Sequence, residues 1–282
     1  MKKENPRQND EAMNLQFPPL GGGLGRGLSI IKIGGNVIEN KEGLAKFLSL
    51  YAGLKGLKIL VHGGGKLATQ LAVKLGIEAK MIGGRRVTDA ENLEVITMVY
   101  AGLTNKNIVA QLQANNCNAI GLSGADGDMI QAHKRPVKEI DYGFVGDVDG
   151  VNSQMISKLL EADLIPVFCA MTHDGNGQLL NTNADTIASE LAIGMSGIYE
   201  TTLYYCFEKK GVLRDISDED SVVKHIDPET YKNLLADGII AEGMLPKLEN
   251  CFHALNKNVS KVCIGRPAML NSENELFTTI TL

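Results

Sequence analysis

The sequence predicts an α/β fold with a largely parallel sheet covered by helices on both faces. Two observations carry that prediction and a third bounds it. Ser29 to Ile33 and Lys58 to Val61 are short apolar runs, and each leads through glycines into a stretch with helical spacing. Two strand–glycine–helix units in succession mark parallel strands joined by helical crossovers. The 282 residues are 44% hydrophobic and 22% charged, which supplies a sizeable core in one large domain or two lobes.

The elements follow in order. Ser29 to Ile33 reads as a buried strand, Lys41 to Leu54 as a helix, Lys58 to Val61 as a second strand and Gly65 to Leu75 as a second helix. Ala90 to Leu112 is a long amphipathic helical stretch, and Asn118 to Leu122 is a strand. Tyr142 to Val151 is strand and turn, punctuated by Gly143, Gly146 and Gly150. Ser153 to Ala162 is a helix, Leu164 to Cys169 a buried strand, and Thr182 to Ile193 a helix with Asp185 near its first turn. Thr201 to Phe207 is strand-like, Pro228 to Ala236 and Met244 to Leu255 are helical, and Lys261 to Ile264 is a late strand. Asp215 to Asp220 reads as an acidic surface loop. No repeat recurs at a solenoid period.

Composition narrows the function. A net charge of −5 and a sequence pI near 5.6 argue against a nucleic-acid-binding surface. No apolar run approaches the ~18 residues of a membrane span. Cys117, Cys169, Cys206, Cys251 and Cys263 are odd in number and scattered, with no C-x-x-C pair. They suggest neither a zinc site nor a disulfide framework and read as reduced thiols of a cytosolic protein. Met1 to Asn14 is charged and polar and lacks the apolar core of a signal peptide. The Pro- and Gly-rich stretch up to Gly27 cannot hold a helix, so residues 1–28 are expected to form a poorly ordered tail.

Five segments carry the chemistry. The first strand runs into Lys32-Ile33-Gly34-Gly35-Asn36 and the second into Val61-His62-Gly63-Gly64-Gly65-Lys66. Glycines after a buried strand let the backbone approach a ligand closely with N–H groups turned toward it. In a parallel sheet both strand ends open on one edge, where ligands bind. A tight strand-to-helix turn alone would also explain the glycine triplet. The triplet is not a phosphate-binding loop of the GxxxxGK[ST] type, because Leu67 follows Lys66, and no strand-linked GxGxxG occurs.

Lys32 lies inside an apolar strand, where an ammonium is costly unless it is paired or faces a ligand. Asn181-Thr182-Asn183-Ala184-Asp185 opens a helix. Thr182 or Asn183 would cap that helix and Asp185 would complement its dipole. Beside two lysines, Lys32 and Lys247, the aspartate is also a candidate to hold both ammonium groups. Gly84-Arg85-Arg86-Val87-Thr88-Asp89 offers arginine forks suited to carboxylates, or a solvated surface pair. The five histidines are dispersed without metal-ligand spacing, and His62 reads as a structural hydrogen-bonder.

In this order the segments resemble the acetylglutamate kinases of the amino-acid kinase family. The marks are Lys32-Ile33-Gly34-Gly35, Val61-His62-Gly63-Gly64-Gly65, Gly84-Arg85-Arg86-Val87-Thr88, Asn181-Thr182-Asn183-Ala184-Asp185 and Gly243-Met244-Leu245-Pro246-Lys247. The resemblance runs from about Ser29 to the C-terminus. It implies a three-layer αβα sandwich with an open, mainly parallel central sheet. It further implies an N-lobe, 29–186, that holds the acyl-glutamate and dimerises, and a C-lobe, 187–282, that holds ATP with its Mg²⁺.

Carried over by position, Lys32 and Lys247 contact the transferring phosphoryl group and Asp185 orients them. Gly34, Gly35 and Gly63 bind phosphate. Gly64 and Gly65 serve the substrate, and Arg86 and Asn181 grip its α-carboxylate. The implied reaction is ATP-dependent phosphorylation of the γ-carboxylate of N-acetyl-L-glutamate in cytoplasmic arginine biosynthesis. N-succinyl-L-glutamate, another amino-acid kinase activity and a non-catalytic amino-acid sensor are the alternatives. A free amino acid would need an acidic partner for its ammonium, and none is evident near Arg86. A sensor would normally lose a lysine or the aspartate.

Two departures stand out. Many relatives carry a Ser-Asp pair where this chain has Cys206-Phe207-Glu208-Lys209-Lys210-Gly211, so nucleotide contacts there are left unassigned. The Pro- and Gly-rich segment before Leu28 is also unlike the N-terminal helix of arginine-inhibited hexamers, so a homodimer insensitive to arginine is expected.

Overall fold

The structure, a computed structural model, describes residues 26–83, 85–240, 244–271 and 275–282. The chain begins with β1 (Gly27–Ile33), a short helix α1 (Gly35–Glu39), α2 (Lys41–Gly53), β2 (Leu57–His62) and α3 (Gly65–Lys74). A small hairpin of β3 (Met81–Ile82) and β4 (Arg85–Arg86) follows. Next comes one long helical stretch of α4 (Ala90–Thr97), a π-helical segment Met98–Thr104 and α5 (Asn105–Ala114). Then come β5 (Ala119–Leu122), β6 (Ile130–Lys134), β7 (Gly146–Val151), α6 (Ser153–Glu161), β8 (Ile165–Cys169), β9 (Met171–His173) and β10 (Leu179–Asn181). The last part holds α7 (Ala184–Ser196), β11 (Glu200–Cys206), β12 (His225–Ile226), α8 (Pro228–Ala236), α9 (Leu245–Leu255), β13 (Lys261–Gly265) and β14 (Thr278–Ile280).

The main sheet has eight strands in the order β12-β14-β13-β11-β1-β2-β8-β5. Every neighbouring pair is parallel except β13 with β14. Strand alternation sorts the core into two faces. Ile31, Ile33, Leu60 and Val167 pack under α2 and α5, with Phe47, Leu48, Tyr51, Ile108 and Leu112. Leu28, Ile30, Ile59 and Val61 pack on the other side with α3, α4, α7 and α9, through Ala68, Ile96, Ile187, Leu191 and Leu248. This is the expected three-layer αβα sandwich, with β1 near the middle of the sheet.

Local chemistry fixes the helix ends. Asn40, Asp89, Asn152 and Asp227 cap α2, α4, α6 and α8 by accepting from backbone N–H groups three residues on. At the other end of α2 the buried Lys58 ammonium donates to the carbonyls of Tyr51, Ala52 and Leu54 at 2.7, 3.0 and 2.8 Å. It thereby satisfies acceptors that a helix C-terminus leaves open.

The differences from expectation are local. The Ala90–Leu112 helix extends to Ala114 and is π-wound in its middle. Tyr142 to Val151 narrows to β7, which joins β6, β9 and β10 in a second sheet of order β10-β9-β6-β7. That sheet, α1, the β3–β4 hairpin, β12 and β14 were not expected, since each piece is only two to six residues long. The expected tail lies outside the described residues up to 25, and β1 already starts at Gly27. All five cysteines are free and buried. Among the described residues no helix is long and apolar enough to cross a membrane.

Candidate active site

The site is assembled on the carboxyl edge of the sheet, where β1, β2 and β11 end side by side at Ile33, His62 and Cys206. The first glycine turn continues the ladder for one residue: the Gly34 N–H donates to the Cys206 carbonyl at 3.1 Å. Gly34 therefore contributes close approach and no free donor, and the first turn's open N–H groups start at Gly35, the first residue of α1. Lys66 ties the two turns together. Its ammonium donates to Asn36 Oδ1 at 2.5 Å and lies 3.4 Å from Glu39 Oε2.

The second turn leads into α3, whose first N–H groups have no partner within the helix. Its shape explains its glycines. A Cβ on Gly64 would stand 2.9 Å from Cδ1 of Tyr100, and one on Gly63 would touch Ala184 at the start of α7. The turn is thus wedged between the π-helical segment and the N-terminus of α7.

Lys32 points to the α7 face of β1, because Ile31 and Ile33 occupy the other. There its ammonium lies 2.6 Å from Asp185 Oδ1. Lys247, from the first turn of α9, lies 2.8 Å from Asp185 Oδ2. One carboxylate thus bridges two ammonium groups that lie more than 200 residues apart in the chain, the nearer of them 62 residues from Asp185. Asn183 caps α7 by accepting from the Asp185 N–H at 2.7 Å. The helix N-terminus adds its own positive potential to the carboxylate. Burial alone would push the Asp185 carboxyl up. The Lys32 and Lys247 charges outweigh it and hold the group down at about 2.

The third corner is the β3–β4 hairpin. Arg86 is 8% exposed, and its Nη2 donates to the Gly65 carbonyl at 2.9 Å and to Thr69 Oγ1 at 2.6 Å. Its Nη1 is buried with no hydrogen-bond partner among the described residues. A buried guanidinium nitrogen costs free energy until an acceptor meets it, and a carboxylate is the acceptor its fork fits. Asn181, at the end of β10, donates from Nδ2 to Thr88 Oγ1 at 3.0 Å. Arg86 and Asn181 therefore flank Thr88.

The structure thus brings the sequence-derived residues to one sheet edge in two groups. Lys32, Asp185 and Lys247 form a charge bridge, and Gly63, Gly64, Gly65, Arg86 and Asn181 form an adjoining wall. Sequence reasoning quoted Lys66 at this edge without a role, and missed Thr69, Tyr100 and Asn105. Thr69 was findable, since it lies one helical turn beyond Gly65 on the same face of α3. Tyr100 gave no such signal, because its position depends on the π-helical winding.

A sequence profile described as the amino acid kinase family matches residues 27–266. An acetylglutamate kinase of Cytophaga hutchinsonii is 58% identical over 84% of this chain and 90% of that protein. One from Phocaeicola vulgatus is 54% identical over 86% of this chain and 95% of its own length. The chain belongs to the amino acid kinase family, on its acetylglutamate kinase branch. Among solved structures, smu.665 from Streptococcus mutans superposes with a TM-score of 0.72 at 27% identity, covering 90% of this chain and 98% of that one.

In this kinase two titratable groups at the site are held far from neutral-pH titration. Asp185 stays ionised, and burial pushes the His62 imidazole from 6.5 down to about 4, so it is neutral. A depressed histidine stabilises the fold above its unfolded pKa and loses that contribution as pH falls toward the folded one. A depressed carboxylate does the same at lower pH. Stability is therefore expected to fall from pH 6.5 to 4 by about 3 kcal/mol from His62, and again below pH 4 as Asp185 is protonated. Urea unfolding at stepped pH measures this, and a midpoint unchanged from pH 6.5 to 4 would contradict a neutral buried His62.

Proposed function

We propose that this kinase transfers the γ-phosphoryl group of ATP to the γ-carboxylate of N-acetyl-L-glutamate. The products are N-acetyl-L-glutamyl 5-phosphate and ADP, in the acyl-phosphate-forming step of arginine biosynthesis. The acetylglutamate kinase relatives support the substrate. The observation that carries the chemistry is Asp185 fixed between the ammonium groups of Lys32 and Lys247.

A γ-carboxylate is already ionised at neutral pH, so it attacks phosphorus without a general base. One carboxylate oxygen forms the new P–O bond while the bond from the γ-phosphorus to the bridging oxygen breaks, and the electron pair leaves with ADP. The work is to bring two anions together and to neutralise charge spreading over the phosphoryl oxygens. Lys32 and Lys247 are placed for that task, and Asp185 sets their separation and keeps them from repelling each other. Both Asp185 oxygens are engaged by lysines, so the Mg²⁺ that enters with ATP would be held through phosphate oxygens. The open Nη1 of Arg86 fits the substrate α-carboxylate, and Asn181 is assigned to the same group. In this reading residues 29–186 hold the acyl-glutamate and 187–282 hold ATP.

The same reading makes the protein a homodimer through its N-terminal half. Val73 on α3, Met81 on β3, and Met98 and Leu103 on the π-helical segment are large apolar side chains left exposed there. The five buried free thiols fit a reducing, cytoplasmic setting.

The direct test is ATP-dependent acyl-phosphate formation, trapped as the hydroxamate, with N-acetyl-L-glutamate, N-succinyl-L-glutamate, free glutamate and aspartate side by side. Product with N-acetyl-L-glutamate is expected, and product with a free amino acid alone would overturn the assignment. Lys32→Ala and Lys247→Ala should each lower kcat about 10²-fold or more, the scale of one lost transition-state charge contact. Near-normal kcat in both would remove their roles. Arg86→Ala should mainly raise KM for the acyl-glutamate, and lost kcat at unchanged KM would contradict α-carboxylate binding. Light scattering should give the mass of a dimer, with Met98→Glu shifting it toward monomer. A hexamer, or inhibition by arginine in the assay, would count against the arginine-insensitive dimer.

A further inference from the structure

His62 is fully buried beside the second glycine turn, and its ring nitrogens have unambiguous partners. Nδ1 lies 2.7 Å from the Gly63 carbonyl, and Nε2 lies 3.0 Å from Asn105 Nδ2. A carbonyl oxygen only accepts, so Nδ1 carries the proton. Asn105 Nδ2 also donates to the Val167 carbonyl at 2.9 Å, which fixes that amide with its nitrogen toward both groups. Nε2 therefore accepts, and a second proton there would face a donor. Lys106 closes the network by donating to Asn105 Oδ1 at 3.1 Å and to the Gly121 carbonyl at 2.9 Å. The packing is tight, since a Cβ on Gly121 would stand 1.9 Å from Asn105 Oδ1.

The direction of the Gly63 carbonyl decides the direction of the next N–H. Along β2 the side chains alternate: Val61 belongs to the α7 face, and Leu60 and His62 turn to the α5 face. His62 thus draws the Gly63 carbonyl toward α5. The peptide is trans, so the Gly64 N–H points the opposite way, toward the α7 face that holds Lys32 and Asp185.

We propose that His62 is a positioning residue for phosphoryl transfer: it holds the Gly63–Gly64 peptide with the Gly64 N–H toward the reacting carboxylate and phosphoryl group, and Asn105 fixes the tautomer that does so. The π-helical segment Met98–Thr104 belongs to the same device. The helical stretch packs in one core cluster up to Tyr100 and in the other from Ile108, and Asn105 follows the π-wound turn between them. Unlike a catalytic base, His62 exchanges no proton in the reaction. A donor held in place before the reaction costs no reorganisation when charge develops.

This inference rests on the kinase reading, and the test separates the two. An asparagine amide nitrogen falls near the Nδ1 position and a glutamine amide nitrogen near Nε2. His62→Asn should keep kcat within about fivefold, while His62→Gln and His62→Leu should lower it about 10- to 100-fold with KM for the acyl-glutamate little changed, the scale of a misplaced reacting geometry. Circular dichroism and thermal unfolding check that each variant is folded. If the leucine variant does not fold, the asparagine and glutamine variants decide the question. Equal losses in those two, or full kcat in His62→Leu, would overturn the proposal while active wild-type enzyme leaves the kinase reading intact. Nitrogen-15 NMR of the wild-type protein supplies a readout independent of activity. It should show His62 as the neutral Nδ1–H tautomer from pH 6 to 8, and the Nε2–H tautomer or a titration in that range would overturn it.

Discussion

The structure depends on one carboxylate between two ammonium groups. Asp185 lies 2.6 Å from one lysine and 2.8 Å from the other, in a place where an unpaired charge of either sign would be costly. The three groups come from β1, α7 and α9, so satisfying Asp185 requires β1, the start of α7 and the start of α9 to meet at one sheet edge. The edge itself follows from parallel strand order. With β11, β1 and β2 adjacent and running the same way, their carboxyl ends are neighbours. The resulting charge arrangement carries a surplus of one positive charge, with the lysines spaced and oriented before any anion arrives.

The glycine turns complete the edge by different means, although they look alike in sequence. Gly34 spends its N–H on the Cys206 carbonyl and so extends the sheet, whereas Gly64 is shaped by the Tyr100 ring pressed against its Cα. The first is a continuation of strand pairing, the second a packing constraint from a helix more than thirty residues on in sequence. Lys66 then links the turns through Asn36 and Glu39. Both turns are held by side chains and backbone from outside themselves, which lets them present donors without collapsing onto one another.

Much of this was legible in the chain. The apolar runs of β1, β2, β8 and β11 announce a parallel sheet, a lysine within the first of them demands a partner, and Asp185 in a capped first turn is a natural one. Arg86 and Asn181 were legible as candidates through their motifs. What stayed hidden is tertiary. The strands of the second sheet are short, and β6, although its burial alternates, lies in a polar stretch that competes with a loop reading. The π-helical segment has no local signature, since its cost is repaid only by where it places Tyr100 and Asn105. The closure of Gly34 against Cys206 joins residues far apart in sequence, and no spacing rule reveals it.

The titration behaviour of the site connects these parts to the chemistry. Asp185 is held ionised by its two lysines, and His62 is held neutral by burial and by a donor amide at Nε2. Neither group changes state near neutral pH, so the Asp185 charge and the His62 hydrogen-bonding pattern do not vary there. A reaction that needed a proton removed would be poorly served by such an arrangement, because a general base works best with a pKa near the working pH. Transfer of a phosphoryl group to an acceptor that is already an anion needs the reverse: fixed positive charge, fixed donors and no proton in flight. The same burial that makes His62 useless as a base makes it suitable as a strut. The protonation states of Asp185 and His62 thus suit attack by a carboxylate, which arrives already ionised.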